Sequence, residues 1–414
     1  MTDADPSTPE PRTAPPAEPG TGPLAGIRVL ELGSFIAGPF AGQLLGDLGA
    51  QVVKVEPPGS GDPMRTWGVL RDGRSLWWPA IARNKASVAI DLRDDRGRAL
   101  VRRLTTHVDV VLENFKPGTL ERWGLGYDTL ASMNPGVVLT HVSGFGQTGP
   151  RADEPGFGAI GEAMGGIRHT TGDPDRPPAR AGISLGDSLA ALFAVIGTLA
   201  ALQERQRSRR GQEVDVAIYE AVMALMESTV ADYELGGVVR GRSGGVLKGV
   251  APSSSYPTAD GRDVLIAANA DAVFARLAEA MERPDLAERY ATHAARAEDQ
   301  VALDEEIGRW TATLRADDLL DLLRRHSVPC GPINTAADLA VDPHVAAREM
   351  VLRMAAGFDA PVPMNGVVPK LSRTPGTVRS VGPALGEHTD AVLGELAGLD
   401  ADDLRALRAA GVIA

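Results

Sequence analysis

Short apolar runs alternate with segments of helical spacing along the first half of the chain. Residues 27–32 form an apolar run that ends at Gly33, and residues 51–56 form a second one. Between them, residues 39–49 combine helical spacing with small side chains. Two buried strands joined by a helix predict a βαβ unit with parallel strands.

The same alternation continues beyond this unit and sets the expected fold class. Further strands are predicted at 87–91, 108–113, 136–142 and 212–216, and further helices at 95–104, 118–125, 185–203 and 219–226. Strands that alternate with helices favour an α/β fold, here a Rossmann-like doubly wound parallel sheet. A later strand at 264–267 with helices at 272–279, 302–313 and 316–325 predicts a smaller α+β domain.

Changes in composition divide the chain into five parts. A Pro-rich start has little apolar surface to bury and predicts disorder, and a Gly-rich polar stretch predicts a linker. The expected parts are a disordered tail at 1–22, a large domain at 23–235, a linker at 236–249, a small domain at 250–342, and a segment at 343–414 that returns to the large domain.

Charge and cysteine content narrow the class of protein. The 414 residues carry 42 Lys and Arg against 54 Asp and Glu, a net charge of −12 without a basic block. This disfavours nucleic acid or an anionic membrane as a partner. The single cysteine, Cys330, cannot form an internal disulfide, which favours a reducing, cytoplasmic location. No apolar run was expected to reach the ~18 residues of a membrane span.

Several familiar motifs are absent or out of context. Gly156, Gly158 and Gly161 fit the spacing G-x-G-x-x-G, but the preceding residues 151–155 are not a strand, so a nicotinamide site is disfavoured. No histidine pair has metal-ligand spacing, and we expect no metal. We expect no serine-hydrolase triad either.

Asp187 is the remaining candidate for chemistry. It lies at the start of the long apolar segment 185–203, directly after Gly186. One interpretation is that it caps the helix. The other is that it is a carboxylate nucleophile on an acyl group, with Gly186 permitting close approach of a substrate. Both interpretations can hold together.

Ten sequence blocks, in this order, resemble a known family. They lie at 24–31, 37–39, 48–56, 58–62, 83–85, 113–118, 124–127, 144–150, 328–332 and 385–389. From about Pro23 to the end, the chain is similar to the class III (CaiB/BaiF) coenzyme A-transferases. The resemblance implies an enzyme with an interlocked homodimer and with no permanently bound cofactor, coenzyme A being part of substrate and product.

The resemblance also implies roles for individual residues. Asp187 would attack the thioester and form aspartyl–acyl anhydride and aspartyl–CoA intermediates, with backbone amides near the helix start stabilising the oxyanion. The implied contacts to coenzyme A are Ile36, Ala37, Ile90, Asp91, Leu92, Arg93, Asn114, Phe115, Lys116 and Arg122. The cations expected near its phosphates are Lys54, Arg83, Lys85, Arg93, Lys116 and Arg122.

Departures from the family pattern leave alternatives open. Phe157 and Gly158 stand where many members have an aromatic residue and then an acid, so a second acidic group is expected to be missing from the pocket, which leaves the acceptor open. Residues 267–271 lack a glycine-rich loop, which disfavours formyl or oxalate transfer. The favoured pair is succinyl-CoA and a small dicarboxylic or hydroxy acid. An acyl-CoA racemase, disfavoured because Phe157 cannot move a proton, and an inactive CoA-binding paralogue are the alternatives.

Overall fold

The computed structural model describes residues 21–414, and the predicted tail at 1–22 lies outside this range except for its last two residues. The chain divides into two compact units. The first contains residues 21–167, Gly182–Glu227 and His344–Ala414, and the second contains Arg168–Ala181 and Ser228–Pro343. The residues predicted as a linker, 236–249, lie inside the second unit.

The described residues form thirteen strands, seven of which overlap the predicted apolar runs. They are β1 (Arg28–Glu31), β2 (Gln51–Glu56), β3 (Leu70–Arg71), β4 (Arg74–Ser75), β5 (Lys85–Ala89), β6 (Val110–Glu113), β7 (Val138–Ser143), β8 (Glu213–Ala217), β9 (Ser253–Pro257), β10 (Asp263–Ala267), β11 (Cys330–Pro332), β12 (Val351–Met354) and β13 (Val362–Asn365).

The helices are α1 (Ala37–Asp47), α2 (Trp78–Ile81), α3 (Asp95–Thr105), α4 (Thr119–Arg122), α5 (Tyr127–Met133), α6 (Gly158–Met164), α7 (Ile167–Thr170), α8 (Leu185–Ser208), α9 (Ile218–Met223), α10 (Thr229–Gly236), α11 (Asp271–Ala280), α12 (Pro284–Arg289), α13 (His293–Glu298), α14 (Gln300–Thr311), α15 (Ala316–Arg325), α16 (Ala336–Val341), α17 (Pro343–Ala347), α18 (Thr389–Ala397) and α19 (Ala401–Ala409). A 3-10 turn lies at Pro63–Thr66.

A six-stranded parallel sheet forms the centre of the first unit. Its strand order is β5-β2-β1-β6-β7-β8, and each neighbouring pair is parallel. Counted along the chain within this sheet, the order is 3-2-1-4-5-6, that of doubly wound dinucleotide-binding folds. The predicted Rossmann-like fold class is confirmed.

Helices cover both faces of this sheet because consecutive strand residues point to opposite sides. On one face, Leu30 and Val111 pack with buried residues of α3, α5, α18 and α19. On the other, Val29 and Val110 pack with α1, α8 and α9. The sheet is therefore buried on both faces, as parallel sheets require.

Helix α8 contains the whole predicted apolar segment 185–203 and continues to Ser208. By length and composition alone it could cross a membrane, so the expectation that no apolar run is long enough was wrong. Small and weakly polar residues interrupt the apolar ones in this helix, so that no single apolar run is long, but they add no charge. One side of α8, including Ala190, Ala191 and Ala194, is buried in the core beside the sheet, as in the core helix of a globular protein.

The second unit is a small α+β arrangement. Strands β9, β10 and β11 form an antiparallel sheet in the order β11-β10-β9. Its core joins strand residues such as Val264 with Phe274 of α11, Leu303 of α14 and Leu319 of α15. The side chain of Arg296 is fully buried and donates hydrogen bonds to the backbone oxygens of Ala251, Tyr290 and Asn269.

A buried ion pair joins α1 to the segment before β5. Arg83 donates from Nε to Asp47 Oδ1 at 2.9 Å, and Asn84 Nδ2 donates to the same oxygen at 2.8 Å. The side chains of Arg83 and Asp47 are 3% and 2% exposed. Since neither charge reaches water, each depends on the other for compensation.

Replacing Asp47 with Asn should therefore lower the free energy of unfolding by about 3 kcal/mol, because it leaves the Arg83 guanidinium buried without a counter-charge. Urea denaturation followed by circular dichroism measures the change. The matched control is Asp321→Asn, which breaks the exposed pair of Asp321 with Arg324 and should cost less than about 1 kcal/mol. Equal losses in the two variants would contradict this account of the buried pair.

Candidate active site

A cleft of about 550 Å³ opens at the carboxyl ends of β1, β2, β5 and β6. Strands β1 and β6 are neighbours in the sheet, and the strand order reverses between them. Ligands of doubly wound sheets bind at this switch point. The cleft is lined by Leu32, Gly33, Ser34, Lys54, Val55, Glu56, Pro57, Ser60, Gly61, Asp62, Pro63, Thr66, Ile90, Asp91, Leu92, Arg93, Phe115 and Trp123.

Asn114 ties the loop after β1 to the end of β6. Its Oδ1 accepts the Ser34 N–H at 2.8 Å, and its Nδ2 donates to the Ser34 carbonyl oxygen at 2.8 Å. A Cβ at Gly33 would lie 2.7 Å from Asn114 Oδ1, so Gly33 leaves the room that this contact needs. Asn114 thus shapes the cleft from behind the lining residue Ser34.

A buried group of charges fixes the loops after β1 and β2. Lys54 Nζ lies 2.9 Å from Glu31 Oε1 and 2.8 Å from Asp62 Oδ2, and donates to the Gly33 carbonyl oxygen at 2.8 Å. Burial opposes the charge of Lys54, but Glu31, Asp62 and Glu56 together raise its pKa above the usual range. The lysine is therefore a fixed cation between the two loops.

Two other predicted phosphate ligands are also buried in ion pairs. Lys85 Nζ lies 2.8 Å from Glu31 Oε2 and donates to the Pro39 carbonyl oxygen at 2.6 Å. Burial and the charge of Lys54 lower the pKa of Lys85. With Arg83 held by Asp47, the three expected cations Lys54, Arg83 and Lys85 all pair with buried carboxylates, and of the three it is Lys54 that lines the cleft.

The other predicted cations have exposed side chains. Arg93 lines the cleft and lies 3.1 Å from Asp91, whose pKa is lowered by the hydrogen bonds from Arg93. Lys116 follows the lining residue Phe115, and Arg122 precedes the lining residue Trp123 while donating to Thr119 Oγ1. Among the described residues that line the cleft, Arg93 is the one cation with an exposed side chain.

Aromatic and aliphatic side chains form an apolar part of the cleft. Phe115 and Trp123 meet edge to face with ring centroids 5.2 Å apart. The predicted residues Ile90 and Leu92 are also part of the lining, and the backbone of Asp91 donates to the Val412 carbonyl oxygen at 2.9 Å. This part of the cleft can take a flat ring between apolar side chains.

Ile36 and Ala37 lie outside the cleft lining. Both are buried, at the junction between the loop after β1 and α1. The residue before them, Phe35, has a positive φ of 64°, which is costly for a bulky side chain. Its N–H is held by Asp62 Oδ1 at 3.2 Å, and Asp62 pairs with Lys54. The buried charges therefore hold Phe35 in its strained conformation.

Phe35 is the central member of a group of three aromatic side chains. Its ring lies 5.4 Å from that of Trp67 and 6.4 Å from that of Phe157, edge to face in both cases. Phe157 is 69% exposed and directly precedes the first residue of α6. Phe35 and Trp67 directly follow the lining residues Ser34 and Thr66, and Phe157 directly precedes Gly158, which packs against Asp187. This aromatic group therefore joins segments next to the cleft to the segment next to Asp187.

Asp187 lies in the first turn of α8 and is partly buried. Its carboxyl group packs against Gly158, where a Cβ would lie 2.7 Å from Asp187 Cγ. A Cβ at Gly161 would lie 2.5 Å from Ile218, and one at Gly156 would lie 2.8 Å from the Cα of Gly144. The G-x-G-x-x-G spacing therefore serves close packing of backbone and helices.

The sequence analysis missed a second acid near Asp187. Glu162 lies four residues after Gly158 on α6, so both face the same side of the helix. Its side chain is 1% exposed, and its Oε1 accepts the Gly186 N–H at 3.2 Å. Glu162 is not the acid that the family pattern has after the aromatic residue, because Gly158 stands at that position. It is a separate carboxylate that lies between α6 and α8. The signal in the sequence was an acid on the glycine face of α6.

Comparison with known proteins decides the family. The profile of CoA-transferase family III matches residues 24–389. The chain belongs to CoA-transferase family III. It is 57% identical over 394 residues to succinyl-CoA–D-citramalate CoA-transferase of Chloroflexus aurantiacus, covering 94% of this chain and 98% of that protein.

Two further relatives agree with this assignment. The chain is 38% identical to succinate–glutarate CoA-transferase of Agrobacterium fabrum, covering 90% of this chain and 96% of that protein. The crystal structure of a CaiB/BaiF family protein from Brucella suis superposes with a TM-score of 0.81 at 36% identity, covering 91% of this chain and all of that one. The protein is therefore a CoA-transferase, and the predicted enzyme class is confirmed.

Substitution of Gly158 tests the packing around Asp187 in this CoA-transferase. A Cβ in Gly158→Ala forces the Asp187 carboxyl group to move, and a displacement of about 1 Å can cost about 100-fold in kcat. Steady-state assays of CoA transfer measure the loss. The matched control is Gly182→Ala, because a Cβ at Gly182 meets nothing within 4 Å. Parent-like kcat in Gly158→Ala would show that this packing does not place the carboxylate.

Proposed function

We propose that the protein transfers coenzyme A from succinyl-CoA to a small hydroxy- or dicarboxylic acid, with D-citramalate as the first acceptor to test. The relatives named for succinyl-CoA and D-citramalate, L-malate and glutarate support this substrate class. The observation that carries the proposal is a partly buried carboxylate, Asp187, placed at the start of α8 in a chain of family III.

In the proposed mechanism, a carboxylate oxygen of Asp187 attacks the thioester carbon of succinyl-CoA. The C–S bond breaks, CoA leaves as a thiolate, and a mixed anhydride forms. The thiolate then attacks the aspartyl carbonyl carbon, which releases succinate and gives an aspartyl–CoA thioester. No proton is gained or lost in either step.

The second half repeats these steps with the acceptor. An acceptor carboxylate attacks the aspartyl thioester, the thiolate leaves again, and a second anhydride forms. Attack of the thiolate on the acceptor's acyl carbon gives the new thioester and regenerates the Asp187 carboxylate. The overall reaction converts one thioester and one carboxylate into another thioester and another carboxylate. Its free-energy change is therefore small, and it needs no further cofactor.

The cleft at the switch point is the proposed site for the nucleotide part of coenzyme A. Phe115, Trp123 and Leu92 offer apolar surface for the adenine ring. Arg93, with Lys116 and Arg122 on neighbouring segments, offers exposed cations for phosphate groups. The aromatic group between this cleft and Asp187 would cover the thioester end.

Incubation with succinyl-CoA and a panel of D-citramalate, L-malate, glutarate and mesaconate should give a new thioester with at least one acid. Hydroxylamine should convert the acyl-enzyme into a hydroxamate at Asp187, because anhydrides and thioesters are both opened by this nucleophile. Mass spectrometry of the peptide containing Asp187 measures the modification. Asp187→Asn should lose transfer and hydroxamate together.

The matched control is Asp153→Asn, an exposed aspartate before α6. It should keep the parent activity and the hydroxamate. Transfer by Asp187→Asn at the parent rate would overturn the proposed nucleophile. Deuterium incorporation at the α-carbon of a branched acyl-CoA, without transfer to any acid, would point to a racemase instead.

We also propose that the protein assembles as a homodimer. Leu192 and Ile196 form an apolar stripe on the side of α8 away from the sheet, with exposures of 45% and 60%. Ile160 of α6, Met223 of α9 and Leu225 are exposed as well. So much apolar surface on neighbouring helices is typical of a protein–protein interface.

Light scattering coupled to size-exclusion chromatography should give the mass of a dimer for the parent. Ile196→Lys places a charge in the apolar stripe and should shift the equilibrium toward monomer. The control Val301→Lys changes an apolar residue of similar exposure on α14 and should leave the dimer intact. A monomeric parent would rule out this assembly.

A further inference from the structure

Glu162 occupies an unusual place for a carboxylate. It lies on the face of α6 that also carries Gly158, Gly161 and Gly165, and this face packs against α8 and α9. Three of these four positions are glycines because the neighbouring helices approach too closely for a Cβ. A carboxylate in such a seam loses its hydration, which is costly unless a specific hydrogen bond compensates.

One hydrogen bond that compensates the buried Glu162 carboxylate comes from Gly186, the residue before the proposed nucleophile. Glu162 Oε1 accepts the Gly186 N–H at 3.2 Å. Gly186 is the second residue of α8, and its N–H has no partner within the helix because it belongs to the first turn. The peptide group that enters Asp187 is therefore anchored to α6 by this hydrogen bond.

The same turn also packs closely against the backbone and side chains of α6. A Cβ at Gly186 would lie 2.9 Å from the Gly158 carbonyl oxygen and 3.1 Å from Glu162 Cγ. Gly158 in turn supports the Asp187 carboxyl group. Helix α6 thus contacts the nucleophile region at two points, by the backbone of Gly158 and by the side chain of Glu162.

From this geometry we propose that Glu162 is a positioning residue for Asp187. Its hydrogen bond to Gly186 fixes the first turn of α8 on α6, so that the Asp187 carboxylate is held ready to attack the thioester. The role depends on an acceptor oxygen at this place and not on the negative charge. This inference rests on the proposed function of Asp187 and deepens it.

Three variants separate the hydrogen bond from the charge. Glu162→Gln keeps an acceptor oxygen and should retain kcat within about threefold of the parent. Glu162→Leu has a similar size but no acceptor, and should lower kcat on the order of 10- to 100-fold. Glu162→Ala repeats this comparison with a smaller side chain if the leucine variant does not fold.

The split between kcat and KM separates positioning from general damage to the fold. The cleft proposed for coenzyme A lies at the ends of β1, β2, β5 and β6. Its lining includes no residue of the contact between α6 and α8. The KM for succinyl-CoA should therefore stay within about twofold of the parent in each folded variant, while kcat falls. The rate of hydroxamate formation at Asp187 should fall together with kcat.

The control is Glu154→Leu, which removes an exposed glutamate before α6 and should keep the parent kcat. Parent-like kcat in Glu162→Leu would overturn the positioning role, and so would an equal loss in Glu162→Gln and Glu162→Leu, which would assign the effect to charge. Failure of the proposed function is a different result, because Asp187→Asn would then remain active whatever residue stands at position 162.

Discussion

The contact of Lys54 with two carboxylates and a backbone oxygen is the interaction on which the candidate active site depends. A lysine that is fully buried between Glu31 and Asp62 joins the ends of β1 and β2, whose loops form much of the cleft. Breaking one member of such a group leaves an uncompensated charge away from water. The geometry of the cleft is therefore linked to the electrostatics of the core beneath it.

Close approach of helices is the second constraint, and it acts around Asp187, the proposed nucleophile. Glycines at 158, 161 and 186 let α6, α8 and α9 pack with little space between their backbones. Asp187 gains its setting from this packing, since the group it rests against is a glycine and the N–H of the residue before it is held by Glu162. A loop carrying the same aspartate would leave it far more conformational freedom.

The sequence predicted the architecture well because buried parallel strands leave a simple pattern. Each predicted strand of the large sheet overlaps an observed one, since apolar runs bounded by glycine or charged residues are typical of such strands. No helix was predicted at α6 because two of its seven residues, and the residue that follows it, are glycines, which have low helix propensity. Its formation depends on tertiary packing that no local pattern reveals.

Partners of charged residues were the hardest to predict. Nothing in the local sequence distinguishes Lys54, Arg83 and Lys85 from surface cations, yet each pairs with a carboxylate distant in the chain. Glu162 was overlooked for a similar reason, since its importance comes from a hydrogen bond to another helix. Local patterns report burial and periodicity, whereas ion pairs between distant segments are set by the completed fold.

Late segments of the chain complete the surroundings of the cleft. Arg65, which pairs with the lining residue Glu56, also donates to the carbonyl oxygen of Pro383, 318 residues later, and the Ala89 N–H donates to Thr389 Oγ1. During synthesis on the ribosome these partners emerge last, and so do α18 and α19, which cover one face of the sheet. Neither the buried sheet nor the cleft can therefore reach its final form until the chain is almost complete, and before then the chain exposes apolar surface to chaperones and proteases.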